Sequence, residues 1–256
     1  MRRAPAFQLV MAPSIAFVMI GLSILLPILR GGFVFGIEFS GGSEFQISGV
    51  AHVDQQVASD AVTSVVADAT PRVSIVGTDS VRVQTEQLTT DQSTAVRDSL
   101  AAAYDVPADQ VTSSFIGPSW GADITGAAVR ALIVFVALAA ILMAIYFRTW
   151  KMSLAAIVSL FHDMIITVGV YGAFGFEITP AAVIGFLTIL GYSLYDTVVV
   201  FDKIRENTSE GSGRTFAESV NLAVNQTLVR SINTGVVAAL PVGAILFIGT
   251  TLLGAG

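Results

Sequence analysis

The sequence contains no cysteine and few charged residues. Only 12% of its 256 residues are Asp, Glu, Lys or Arg, whereas soluble domains carry roughly a quarter. Without cysteine, neither a disulfide framework nor a thiolate metal site is expected. The formal net charge of −6 gives no support for a basic face of the kind that binds nucleic acid. With 54% hydrophobic residues and a mean hydropathy of +0.75, the composition indicates a membrane protein.

Two motifs of enzyme chemistry are also missing. The chain has no G-x-x-x-x-G-K-[ST] phosphate-binding loop, so we do not expect ATP to be its energy source. An intramembrane aspartyl protease would need a Gly-x-Gly-Asp sequence on the helix that follows Asp196, and that predicted helix contains no acid. We therefore expect a protein that is not an enzyme and that binds neither a metal nor an organic cofactor.

Five apolar stretches are long enough to cross a bilayer, because a hydrocarbon core of about 30 Å needs roughly 20 helical residues. The predicted spans are residues 12–30, 127–147, 152–173, 178–201 and 228–253. The first could instead be a cleaved signal peptide, but it lacks a clear A-x-A site and is long for such a segment. The sequence thus predicts a polytopic α-helical membrane protein.

The basic residues of the short connections predict the orientation of these spans. Residues 1–11, 148–151 and 202–227 carry lysines and arginines and all fall on one side if the chain crosses at each span. We therefore expect a cytoplasmic N-terminus and a cytoplasmic loop at 202–227 that contains an amphipathic helix. The opposite, outer side receives residues 31–126 and the short turn 175–180.

Residues 31–126 form an acidic insert with twelve acidic and three basic residues. Alternating hydrophobicity predicts a strand at 43–48, and a hairpin signal at 77–79 predicts strands at 72–76 and 80–86 on either side of it. Helical spacing predicts a helix at 53–69, and a threonine or aspartate near the cap supports a second helix at 89–104. A last strand is predicted at 111–116. The order β-α-β-β-α-β is that of a ferredoxin-like α+β unit. Since the insert shows no nucleophile–base pair, a binding or mechanical role is favoured over catalysis.

Ionisable residues lie within two of the predicted spans. Asp163 is near the middle of the third span and Asp196 is towards the cytoplasmic end of the fourth. On insertion scales such a residue costs about 2.5–3.5 kcal/mol, so it normally faces a protein interior or a water path. His162 and Arg230 are the candidate cationic partners.

Two interpretations of each acid stay open. Asp196 could form an interhelical salt bridge that only stabilises the bundle, or it could be a carboxylate that titrates when an arginine approaches or leaves. Asp163 could equally make a structural hydrogen bond, because it and His162 are predicted to point in different directions on their helix. Residues 202–206 are predicted to be a solvated helix end with i,i+3 pairing.

Several motifs resemble those of the SecD/SecF family. GIEFSGG at 36–42 resembles the family signature GIDFxGG, and GYSLYDTVVVFDKIREN at 191–207 resembles the GYSxNDTxVVxDRIREN segment of its SecF branch. NQTLVRSINT at 225–234 resembles the segment around the SecF membrane arginine. Two departures stand out: Glu38 replaces the usual aspartate and Tyr195 replaces the usual asparagine.

The resemblance implies an accessory subunit of the Sec translocase, related to proton-driven RND transporters, in the bacterial cytoplasmic membrane. Such a subunit would act with SecD and the SecYEG translocon, and would use the proton motive force to promote export of unfolded preproteins across the lipid bilayer. Asp196 and Arg230 match the proton-relay residues of the family, and Asp163 is a weaker addition. The coupling ion would be a proton or sodium. Members of the family typically have six spans, whereas five are predicted in this sequence, so we expect the sixth span of the family to be absent from it.

Two other functions stay open at this point. An RND-like exporter subunit for a small molecule or lipid would share the intramembrane charges, although such exporters usually carry external domains much larger than the 96 residues of 31–126. A passive scaffold of the translocon would share the architecture without any titration.

Overall fold

The computed structural model describes residues 6–209 and 213–252, so Arg2 and Arg3, which support the predicted orientation, lie outside the described residues. The helices are α1 (Ala6–Leu29), α2 (Ile37–Ser40), α3 (Gln55–Val65), α4 (Thr90–Ala103), α5 (Pro118–Phe147), α6 (Trp150–Phe174), α7 (Pro180–Ser209) and α8 (Phe216–Leu252). The strands are β1 (Val34–Phe35), β2 (Gly42–Ile47), β3 (Arg72–Val76), β4 (Ser80–Thr85), β5 (Val111–Ile116) and β6 (Glu177–Ile178). The chain divides into a sheet unit around residues 35–127 and a helical unit made of residues 6–34 and 128–240.

The sheet unit contains a four-stranded antiparallel sheet in the order β3-β4-β2-β5. Phe45 of β2 faces Val83 of β4 on one side and Ser113 of β5 on the other. The strands β3 and β5 have the bounds predicted from the sequence. The prediction of these two strands is therefore confirmed.

One face of the sheet packs against α3 and α4 and forms the core of this unit. Alternate residues of β2 and β4 point into it and are fully buried, as are residues on the inner faces of both helices. The fully buried apolar members of this core are Phe45, Ile47, Ala58, Val62, Val81, Val83, Val96 and Leu100.

Side-chain caps set where the two helices begin. At α4 the Thr89 hydroxyl accepts from the backbone N–H of Gln92, and the Gln92 side chain accepts in return from the backbone N–H of Thr89, which is a capping box. At α3 the Asp54 carboxylate accepts from the Gln56 N–H at 2.9 Å. The predicted helix 53–69 is therefore too long, because Asp54 caps it at one end and Val66 is already extended at the other.

The GIEFSGG motif is a single helical turn closed by two glycines, which the sequence reading did not foresee. Gly41 and Gly42 have φ angles of +74° and +148°. A Cβ on Gly42 would overlap the carbonyl oxygen of Thr85 and lie 3.1 Å from Cγ2 of Ile37. Glycine is required here because no other residue combines that backbone with that contact.

Three helices of the described chain are long and apolar enough to cross a membrane: α5, α6 and residues Pro180–Thr208 of α7. The part of α1 whose side chains are described, Ser14–Leu29, is apolar but shorter than these three. Three of the five predicted spans therefore meet the criterion on the described residues, and the full set of five stays a prediction.

Helices α1 and α6 approach so closely that only glycine fits between them. A Cβ on Gly169 of α6 would overlap Ser23 of α1 and lie 2.6 Å from its Cα. One turn on, a Cβ on Gly172 would lie 2.7 Å from the ring of Phe33 and 3.1 Å from Pro27. Small residues allow backbones to approach closely in membrane helix pairs, where packing rather than the hydrophobic effect drives association.

The predicted loop 202–227 is mostly helical, which corrects the sequence reading. Helix α7 continues to Ser209, and α8 begins at Phe216 and runs on without a break into the predicted fifth span. Thr215 and Glu218 explain the start of α8: the Thr215 hydroxyl accepts from the Glu218 N–H at 3.3 Å and the Glu218 carboxylate accepts from the Thr215 N–H at 2.9 Å. This capping box opens one long helix, so there is no separate amphipathic helix among the described residues.

The glycine contact predicts a large loss of stability for Gly169→Ala. The added methyl group must displace the Ser23 backbone, so we expect the free energy of unfolding to fall by about 1–3 kcal/mol, as for overpacked cores. The measurement is the unfolding midpoint of the purified chain in detergent. Gly191→Ala on α7 is the matched control, because nothing lies within 4 Å of that position. Equal midpoints for the two variants would contradict the close approach.

The sheet unit predicts a pH effect at Glu86. The Thr70 hydroxyl donates to this exposed carboxylate and holds the pKa of Glu86 below its ordinary value. A lowered pKa in the folded state contributes stability above the pKa of the unfolded chain, and this stability is lost as the pH falls through the folded value. We expect Thr70→Val to raise the pKa of Glu86 in an NMR titration. Thr63→Val, whose hydroxyl bonds only backbone carbonyls, should leave it unchanged.

Candidate functional site

The carboxylate of Asp163 on α6 has two polar partners. Nδ1 of His162 lies 3.0 Å from Oδ1, and the hydroxyl of Ser193 on α7 donates to Oδ2. His162 and Asp163, which the sequence predicts to point in different directions on their helix, contact each other through Nδ1 and Oδ1. Nε2 of His162 is buried and has no hydrogen-bond partner among the described residues. This cluster joins α6 to α7.

The carboxylate of Asp196 on α7 is bound from the next helix. The hydroxyl of Ser231 on α8 donates to Oδ1 of Asp196 at 2.8 Å. Both side chains are half-buried. A hydroxyl can donate to an ionised carboxylate and can also accept from a protonated one, so this contact is compatible with both protonation states.

The guanidinium of Arg230 contacts Tyr195 rather than a carboxylate. Nη2 of Arg230 donates to the Tyr195 hydroxyl at 2.8 Å, and Cζ lies 5.7 Å from the centroid of the same ring. The arginine therefore makes a hydrogen bond and a cation–π contact to one side chain. Arg230 is exposed, and it lies with Gln226 and Asn233 along an open groove of about 570 Å³ on α8.

The structure thus brings the predicted residues of α7 and α8 together but pairs them differently. Within the described chain no ion pair within 4.0 Å joins Asp196 to Arg230. Consecutive residues carry the two contacts: Tyr195 binds Arg230 and Asp196 binds Ser231. The interhelical salt bridge considered from the sequence is not formed in this arrangement.

Helix α7 connects the two carboxylate clusters. Ser193 and Asp196 are three residues apart, which places them on neighbouring positions of the same helical surface. Ser193 reaches Asp163 on α6 and Asp196 is reached by Ser231 on α8. Neither Ser193 nor Ser231 was predicted from the sequence as a functional residue. Their positions in the sequence could have indicated a role, because Ser193 precedes Asp196 by one helical turn and Ser231 directly follows Arg230.

The residues that follow Asp196 at the end of α7 make further polar contacts. The predicted i,i+3 pairing is confirmed by the ion pair of Lys203 with Glu206, whose Nζ and Oε1 atoms are 2.6 Å apart. The buried amide of Asn207 donates to Oε1 of Gln226 on α8 at 3.0 Å and also approaches the backbone oxygen of Ser219. Polar groups therefore join α7 and α8 over several turns.

The chain matches known proteins over most of its length. Residues 95–255 match the family described as protein export membrane protein SecD/SecF, C-terminal. The chain is 44% identical over 254 residues to the protein translocase subunit SecF of Streptomyces coelicolor, covering 92% of this chain and 65% of the relative. It is 34% identical to the SecF of Rhodothermus marinus, covering 91% of this chain and 79% of that protein.

A solved structure has the same fold. The crystal structure of SecDF, a translocon-associated membrane protein from Thermus thermophilus, matches with a TM-score of 0.78 and 27% sequence identity. The match covers 94% of this chain but 33% of the SecDF chain. The chain also spans less than two thirds of the length of the Streptomyces relative. On the extent of these matches, the chain belongs to the SecD/SecF family of protein export membrane proteins.

Proposed function

We propose that this protein is an accessory subunit of the Sec translocase in the bacterial cytoplasmic membrane. It acts with SecD to promote the export of unfolded preproteins through the SecYEG translocon and draws energy from the proton motive force. The names of its relatives, protein translocase subunit SecF and the translocon-associated SecDF, support the role in translocation. The observation that carries the energy coupling is the set of hydrogen-bonded carboxylates, Asp163 and Asp196, within apolar helices.

The proposed architecture is a five-span protein with its N-terminus in the cytoplasm and the sheet unit on the outer side. The antiparallel order β3-β4-β2-β5 with two helices on one face supports a ferredoxin-like domain. The sequence of the insert shows no nucleophile–base pair, and on this ground we propose a mechanical or binding role for the unit in moving the preprotein.

The proposed relay consists of Asp196 and Arg230, with Asp163 as a further carboxylate on the path. When Asp196 is ionised it attracts Arg230, and when it takes up a proton this attraction is lost. The arginine then prefers a neutral partner such as Tyr195, which is the contact described above. The change of partner moves α8 against α7, and we propose that this movement is passed on to the sheet unit. SecD supplies a further carboxylate to the same path.

The magnitudes are compatible with this mechanism. One elementary charge that crosses 100 mV yields about 2.3 kcal/mol. A shift of a two-state equilibrium from 1:99 to 99:1 requires about 5.5 kcal/mol. About two protons per cycle at a bacterial membrane potential would therefore drive a nearly complete change of state.

The test is proton-gradient-dependent preprotein export from membrane vesicles that contain SecD, SecYEG and a variant of this chain. We expect Asp196→Asn and Arg230→Met each to abolish the gradient-dependent part of export, because each removes one partner of the exchange. Asp202→Asn is the matched control, since this exposed aspartate lies six residues further along α7 at its solvated end. It should export like the unchanged protein.

The outcomes separate the alternatives. Unchanged export with both relay variants, at equal protein levels, would contradict the motor and leave a passive scaffold. Transport of a small solute or lipid by the reconstituted chain, without any effect on export, would identify an RND-like exporter. A sodium ionophore that collapses export where a proton ionophore does not would make sodium the coupling ion.

A further inference from the structure

Tyr195 is the partner of Arg230 through two contacts. The phenol hydroxyl accepts from Nη2 at 2.8 Å and the ring lies beneath the guanidinium at 5.7 Å. Tyr195 itself is 52% exposed, so the core of the helical unit does not hold it in place. The aromatic face is needed for the second of these contacts and the hydroxyl for the first.

The contact leaves Asp196 without its arginine. In the described chain its recorded partner is the Ser231 hydroxyl, a neutral group on the residue after Arg230. A guanidinium binds an ionised carboxylate more strongly than it binds a neutral oxygen, since the full negative charge of the carboxylate adds a Coulombic attraction that a neutral hydroxyl lacks. A neutral competitor on the residue before Asp196 therefore holds the arginine less strongly than an ionised carboxylate would.

We propose that Tyr195 is a positioning residue that holds Arg230 away from Asp196 and thereby sets the pH at which Asp196 binds a proton. The arginine exchanges between the phenol and the carboxylate as Asp196 gains or loses its proton. This inference deepens the proposed function and rests on it for its role in export, but the exchange can be measured without export.

The charged and titratable groups around this exchange come from three helices. Asp196 and Tyr195 lie on α7 and Arg230 lies on α8. Helix α6 contributes Asp163 and His162, which reach α7 through Ser193, one turn before Asp196. Because the α6 pair is bound to Ser193 and not to Tyr195, a change at Tyr195 should affect the α6 groups less than it affects Asp196.

The experiment is an infrared titration of the purified full chain in lipid vesicles, in which the C=O band of protonated Asp196 is identified by its loss in Asp196→Asn. Removal of the hydroxyl by Tyr195→Phe frees Arg230 to approach the carboxylate and favours its ionised form. We expect the midpoint of the band to move to lower pH by about one unit, the low end of what an adjacent arginine causes. Tyr195→Leu, which also removes the ring, should move it at least as far.

Two comparisons show whether the effect passes through Arg230. In an Arg230→Met background, Tyr195→Phe should shift the midpoint by less than about a tenth of its effect in the unchanged chain. The reason is that Arg230→Met has already removed the Arg230–Tyr195 interaction, so that the second substitution has nothing further to remove. Tyr192→Phe is the matched control, because Tyr192 is one turn away, is equally exposed at 51% and lines the same groove as Arg230. In the described structure Arg230 donates its hydrogen bond to Tyr195 and not to Tyr192. It should leave the midpoint unchanged.

Three results would overturn the inference: no shift with Tyr195→Phe, the same shift in the Arg230→Met background, or the same shift with Tyr192→Phe. The unfolding midpoint of each variant shows whether it has folded, and Tyr195→Asn provides a second substitution should Tyr195→Phe be unstable. If the infrared shift appears but Asp196→Asn exports normally, the positioning role holds and the proposed function fails. If export depends on Asp196 but Tyr195→Phe causes no infrared shift, the proposed function holds and the positioning role fails.

Discussion

A polar side chain in an apolar helix loses its hydrogen bonds to water and must find a partner on a neighbouring helix. Asp163, Asp196 and Arg230 all meet this requirement, through Ser193, Ser231 and Tyr195 respectively. Each of these contacts crosses a helix interface, so the three charged residues join α6, α7 and α8 in sequence. An unpaired charge within a membrane-spanning helix would cost about 2.5–3.5 kcal/mol, so we infer that the polar contacts constrain how these helices are arranged.

The helical unit uses two different kinds of interface. Helices α1 and α6 meet at Gly169 and Gly172, where a Cβ would overlap the facing helix. Helices α7 and α8 meet through side-chain hydrogen bonds, and their glycines at 185, 191 and 235 have nothing within 4 Å. Close packing has one arrangement and resists change, whereas a hydrogen bond can exchange its partner without a cavity. We therefore assign the proposed protonation-driven change to the second interface and not to the first.

Tyr195 connects this physical picture to the proposed energy coupling. A permanent pair of Asp196 with Arg230 would keep the carboxylate ionised and oppose proton uptake, whereas an isolated carboxylate would leave the arginine unbound. A neutral hydroxyl and an aromatic face next to the acid give the arginine a second position of moderate strength. In the proposed mechanism, the binding of a single proton to Asp196 decides between these two positions.

The sequence alone determined the membrane character, the element order of the sheet unit and the acids within the helices. These follow from composition and from the alternating or helical spacing of apolar residues, which are local properties of the chain. Local sequence also predicted the bounds of β3 and β5. It predicted the pairing of Lys203 with Glu206 as well, because these residues are three positions apart on one helix. Only the tertiary structure decided that Arg230 binds Tyr195, that Ser193 and Ser231 hold the two carboxylates, and that α8 is one continuous helix. Partners across an interface depend on how each helix is rotated and shifted along its neighbour, and no periodicity within a single helix records that register.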